Sequence, residues 1–116
     1  MHAKKITLTN GASNLDVVAS DETYRNGIAE GAHFDGATLT RISFVECDLY
    51  WASFSVATLS HVVFDNCDLR GADFADSTLD NCRFVRCDLG PDALGGKTVF
   101  DGADLSSVVF EGCNGP

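Results

Sequence analysis

Basic residues are scarce in this 116-residue chain: eight lysines and arginines stand against 17 aspartates and glutamates, a formal net charge of −9. Binding nucleic acid by neutralising its phosphates needs the opposite balance, so direct nucleic-acid binding is not expected. Long apolar runs are missing as well. No stretch reaches the roughly 20 residues of a membrane span, and the N-terminus lacks the apolar run of a secretory signal. The expectation is a soluble, cytoplasmic protein without a membrane partner. Cysteines at C-x-x-C spacing are absent, as are a glycine-rich phosphate loop, a nucleophile elbow and any metal motif. His2, His33 and His61 lie far apart in sequence. Nothing here points to an enzyme, a cofactor or a metal.

What is present is a repeat. A 20-residue unit runs AHFDGATLTRISFVECDLYW (32–51), ASFSVATLSHVVFDNCDLRG (52–71) and ADFADSTLDNCRFVRCDLGP (72–91). It returns as TVFDGADLSSVVFEGCNGP (98–116) after a six-residue insert, DALGGK (92–97). Inside each unit lies a five-residue one: a small or β-branched residue, a polar residue, a Phe or Leu, then two polar or turn residues. Phe and Leu alternate at the centres from Phe34 to Phe110. A period of five fits neither a helix face nor a straight strand. It does fit a chain that turns a corner in the same sense after every pentad, with the first and third residues inward. Four corners close one square coil, and coils stack at the strand spacing of about 4.7–4.9 Å.

The predicted fold class is therefore all-β, a solenoid of about four coils over residues 32–116, preceded by an N-terminal segment. The pattern, seen in ATLTR, CDLRG, ADFAD and ADLSS, resembles that of the pentapeptide-repeat family. The resemblance implies a right-handed quadrilateral β-helix. It also brings in that family's proteins that protect DNA gyrase by mimicking DNA, although the fold by itself names no function.

Residues 1–31 follow the repeat poorly. Ile6–Thr9 and Leu15–Ala19 read as two strands and Asp21–Gly31 as a connection, together forming a cap over the first coil that could cover Tyr50 and Trp51. The C-terminal layer, Phe100, Leu105 and Phe110, has no such cover, and a two-fold homodimer through it is predicted.

Four features are candidate sites. Asp48, Asp68 and Asp88 fall in one column and must be held by amides, by Arg70, by a cation or by a basic partner. Asp35, Asp73, Asp76 and Asp101 add charge to the neighbouring side. Val45, Val63, Val85 and Val109, flanked by Arg83 and Arg86, form either a docking surface for a protein or merely a set of good strand residues. The insert is either a tolerated loop or a functional one. Cys47, Cys67, Cys82, Cys87 and Cys113 occupy small inward slots and read as reduced packing residues. Two functions follow. The first is a non-enzymatic interaction module for a protein partner, of immunity, antitoxin or adaptor type. The second is a DNA mimic for a type II topoisomerase, which needs a rod about 40 Å long, hence two copies of a stack spanning on the order of 20 Å.

Overall fold

A computed structural model describes residues 5–115. Among the described residues there are nine three-residue strands: β1 (Val18–Ser20), β2 (Thr23–Arg25), β3 (Thr38–Thr40), β4 (Ser43–Val45), β5 (Thr58–Ser60), β6 (Val63–Asp65), β7 (Thr78–Asp80), β8 (Arg83–Val85) and β9 (Val109–Glu111). They form two parallel sheets, β1-β3-β5-β7 and β2-β4-β6-β8-β9. Two further sides are joined by single parallel bridges, one through Ser13, His33, Ser53, Asp73 and Val99, the other through Ile28, Asp48, Asp68, Asp88 and Asn114. Four sides, each stacked in register, make the fold a right-handed quadrilateral β-helix. None of the described residues forms a helix long and apolar enough to cross a membrane.

The corners explain why the chain coils instead of extending. From Asp16 to Arg86, a residue with φ between 50° and 73° recurs at every fifth position. This left-handed conformation is uncommon outside glycine, yet most of the corners hold Asp, Asn, Arg, Glu or His. At most of them the main-chain amide bonds a carbonyl in the next layer, as in Arg41 N–H to Ser60 O (2.9 Å) and Asn66 N–H to Val85 O (2.8 Å), while the Asn81 amide donates to the Ser107 hydroxyl (2.9 Å).

Inside, the centres form columns. Phe34, Phe54, Phe74 and Phe100 stack with ring centroids 4.6, 4.8 and 5.4 Å apart. Phe44, Phe64, Phe84 and Phe110 stack at 5.2, 5.0 and 5.1 Å. The two stacks meet edge to face, for example Phe64 against Phe74 at 5.6 Å. Below the last layer, Phe and Leu centres from Phe34 to Leu89 are buried. Beyond the insert the pairings Asp73 with Val99, Phe84 with Phe110 and Asp88 with Asn114 keep the register, with residues 92–97 outside it.

The N-terminal segment departs from the sequence reading. Residues 18–25, expected within the cap, supply β1 and β2, which pair in register with β3 and β4. The stack thus begins one layer before residue 32. The pattern is hard to see there because the centre slots hold Asn14, Ala19, Tyr24 and Ala29 instead of Phe and Leu. Covering falls to a shorter piece: Ile6 is buried and Leu8 packs on the core, close enough that a Cβ on Gly27 would lie 2.6 Å from Leu8 Cδ1. Small centres leave the room that Ile6 and Leu8 fill. Neither Ile6–Thr9 nor residues 15–17 are strand. The first four residues of the expected cap lie outside the described residues.

Candidate interaction surfaces

The aspartate column is satisfied from within. Each carboxylate accepts the amide two residues on: Asp48 from Tyr50 (3.1 Å), Asp68 from Arg70 (3.1 Å) and Asp88 from Gly90 (3.0 Å). Such a bond tightens the corner and recurs at Asp73 and Asp104. Arg70 forks onto Asp68 at 3.0 and 2.8 Å, lies 3.5 Å from Asp88 and covers the Tyr50 ring at 5.3 Å. Asn114 donates to Asp88 at 3.0 Å. Main-chain amides and Arg70 thus hold these carboxylates together. At the column's N-terminal end, a hydrogen bond with Asp48 raises the Glu30 carboxyl above its ordinary range.

The valines do not make one patch. Strand register puts Val63 and Val109 in a column with Ser43 and Arg83, and Val45 and Val85 in a column with Arg25, Asp65 and Glu111. Charged groups separate them. Arg83 reaches Glu111 at 2.7 Å and Arg86 reaches Asp65 at 2.6 Å, both along this side. Val109, at the end of the stack, is 43% exposed, while Val45, Val63 and Val85 are half-buried.

Tyr50 and Trp51, expected under the N-terminal cap, lie instead against the insert. The Tyr50 hydroxyl donates to Asp92 Oδ2. Asp92 Oδ1 accepts the amides of Leu94 (2.9 Å) and Gly96 (2.6 Å), and its own amide bonds Gly96 O at 2.9 Å. Trp51 covers two glycines, since a Cβ on Gly71 or Gly96 would come within 2.5 or 2.7 Å of its ring. The insert is thus a tied loop, with Leu94 left 86% exposed at its tip. In the sequence this shows only as an aromatic pair at a corner with glycine, Gly71, in the same corner of the next layer, which does not name the insert as its cover.

On the side bearing His33 and Ser53, Ser53 donates to Asp35 at 2.9 Å and His33 Nδ1 stands 3.7 Å from Asp35 Oδ1. The nearby corners place the Asp16 carboxylate against Gly36 and that of Asp76 against Gly102. Among the described residues, no lysine or arginine pairs with Asp35, Asp73, Asp76 or Asp101.

The two ends differ. At the first, Asn14 occupies a centre slot, is 1% exposed, and exchanges two hydrogen bonds with the Thr7 backbone (2.7 and 2.9 Å), fixing the covering segment. At the last, Leu89, Phe100, Leu105, Phe110 and Cys113 line an open concavity of about 340 Å³, and Phe110 is 39% exposed. Gly115 stands where the Leu column would continue, pressed against the Gly90 carbonyl. Asn14 carried no signal in the sequence, because a polar residue at a centre looks like a break in the repeat.

Pentads, square coils and stacked Phe and Leu columns define a pentapeptide-repeat β-helix. The family model "Pentapeptide repeat region" matches residues 21–91, and the chain belongs to that family. Comparison with curated protein sequences gives no match. Among solved structures, the chain is similar to QnrB1, a plasmid-mediated fluoroquinolone resistance protein, with 22% identity and a TM-score of 0.69 over 90% of this chain and 56% of that one. A pentapeptide repeat protein of the Arabidopsis thaliana thylakoid lumen matches at 18% identity and TM-score 0.35, covering 85% of this chain and 61% of its own. HetL, involved in heterocyst differentiation regulation in Nostoc sp. strain PCC 7120, matches at 16% and 0.39, covering 85% and 56%. The chain therefore spans little more than half the length of QnrB1, and the likeness is one of fold.

Proposed function

We propose that this protein is a non-enzymatic interaction module, a rigid β-helix that presents fixed side-chain patterns to a protein partner and joins a second copy through its C-terminal layer. The observation that carries this reading is the difference between the ends: Ile6, Leu8 and Asn14 close one, while Phe100, Leu105 and Phe110 line an apolar hollow at the other. A two-fold contact uses the same patch twice, and the apolar end of a square stack is suited to it. Layers of repeat proteins bury their faces against neighbours, and the hollow lined by Phe100, Leu105 and Phe110 is an apolar face of that kind.

The valine side remains the proposed partner surface, now as two short columns framed by Arg83 and Arg86. If Val63→Asp combined with Val85→Asp left capture of a partner unchanged, that assignment would fail.

A second reading has its own support. Arg41, Arg70, Arg83 and Arg86 are each engaged by a carboxylate, so the arginines that interrupt the acidic residues are largely neutralised. The side with Asp35, Asp73, Asp76 and Asp101 is left negative, as a DNA mimic requires. Five stacked strands give four spacings, about 19 Å, within a molecule measuring 42 × 30 × 23 Å. Two stacks joined end to end approach one turn of B-DNA, about 34–36 Å. Purified protein that neither inhibits supercoiling by DNA gyrase nor relieves its inhibition by a quinolone would remove this reading.

A further inference from the structure

Cys47, Cys67, Cys87 and Cys113 occupy one place in successive layers, each one residue before the in-register column Asp48, Asp68, Asp88 and Asn114. Every thiol makes the same hydrogen bond, to the carbonyl of the residue three positions earlier in the preceding layer's frame: Cys47 to Tyr24 (3.4 Å), Cys67 to Phe44 (3.2 Å), Cys87 to Phe64 (3.1 Å) and Cys113 to Phe84 (3.2 Å). One repeated bond means one repeated rotamer. Successive sulfurs are therefore displaced by one layer, about 4.7–4.9 Å. All remain free thiols.

A metal–thiolate bond is about 2.3 Å long, so two such bonds in line span about 4.6 Å, within a few tenths of an ångström of the layer spacing. We infer that the Cys87–Cys113 rung is a two-coordinate site for a soft monovalent cation of the copper(I) class. Thiolate ligands select such ions, which accept two sulfurs in line, whereas zinc requires four ligands. Among the described residues, no three His, Cys, Asp or Glu side chains are placed to hold a metal together, and the column offers sulfurs only in succession.

Access singles out this rung. Cys47, Cys67 and Cys87 are at most 2% exposed, but Cys113 is half-buried and, together with Cys67 and Cys87, lines a groove of about 350 Å³ beside the aspartate column, away from the proposed contact with a second copy. Asp68 and Asp88, both engaged by Arg70, line that groove together with Arg86. The Cys87 amide donates to Cys113 Sγ at 3.4 Å, a bond that supports a thiolate there. Burial otherwise pushes the Cys113 thiol up, so binding displaces protons and strengthens with pH. Both thiols give their protons to water as two sulfur–metal bonds form, and no electron is transferred. Cys82 has Val62 and Val108 in the adjoining layers and no second thiol, which makes it a control.

The test is anaerobic titration of the full chain with copper(I) against the chromophoric chelator bicinchoninate, followed by X-ray absorption of the loaded protein. The expected result is one tightly held copper(I) per chain with two sulfur neighbours and no nitrogen or oxygen. Cys113→Ser and Cys87→Ser should each weaken binding by more than about a hundredfold, beyond the loss typical of an outer-shell partner, and Cys82→Ser should not. If Cys87→Ser does not fold, the half-buried Cys113→Ser decides alone, with circular dichroism confirming its fold. Copper held no better by the native chain than by Cys113→Ser, or a site with three or more sulfurs, would overturn the inference.

Discussion

Replacing Phe64 by alanine should cost far more than the same change at Phe110, and the difference measures how open the C-terminal layer is. Phe64 is wholly buried, stacks on Phe44 and Phe84 at 5.2 and 5.0 Å, and meets Phe54 and Phe74 edge-on at 5.5 and 5.6 Å. Buried Phe→Ala changes cost about 3–5 kcal/mol. Aromatic pairs add about 0.5–1.5 kcal/mol each beyond buried area, so the upper end, about 5 kcal/mol, is expected. Phe110 keeps one stacked neighbour, Phe84 at 5.1 Å, and one edge contact, Phe100 at 5.7 Å, and is 39% exposed. Its loss should cost about half as much, roughly 2 kcal/mol. Against a total stability of about 5–15 kcal/mol, Phe64→Ala removes a third or more. Urea unfolding followed by far-ultraviolet circular dichroism and by the fluorescence of the single tryptophan gives both values, provided the slopes agree. Equal costs at a dilution where the chain is monomeric would refute the reasoning, because the last layer would then be as enclosed as the middle of the stack.

Other outcomes follow from single positions. Val56 is a β-branched residue at φ 59° and 63% exposed. A left-handed conformation costs such a residue about 1–2 kcal/mol, more than the entropy glycine adds, so Val56→Gly should raise the melting temperature by a few degrees. Asn14→Ala leaves the Thr7 amide and carbonyl without their partner and should cost about 1–3 kcal/mol, with hydrogen exchange at Thr7 rising more than at the centre of the stack. The Asp92 carboxyl is held below its ordinary 3.8, first by the Tyr50 hydroxyl and then by the Gly96 amide. Its contribution to the loop is full above the unfolded value and lost as pH falls through the lower folded one. Trp51 fluorescence should accordingly titrate with a midpoint below 3.8, and Asp92→Asn should abolish that transition.

The period of five made the coil readable before any coordinates, because one side chain in five must be large and inward at every layer, and Phe and Leu declare it. Where the first layer uses Asn14, Ala19, Tyr24 and Ala29, the declaration is missing, and the period is legible only from residue 32 onward. Those residues are small or polar for a reason that only the fold reveals: Ile6 and Leu8 need the space, and Asn14 binds the segment that carries them. The aspartate column was visible as a column, but its amide and Arg70 partners depend on corner geometry. The valines looked continuous because sequence position does not say which of the two outward places in a strand each one takes. Tyr50 and Trp51 could not be assigned to the insert without knowing that a looped-out segment folds back along the corner from which it leaves.

Sedimentation equilibrium of the full chain over a concentration series, beside Phe110→Asp, tests the proposed association most directly. A monomer–dimer equilibrium is expected for the native chain, and a monomer at every concentration for the variant. A native chain that stays monomeric throughout, or a dimer that survives Phe110→Asp unchanged, would contradict it.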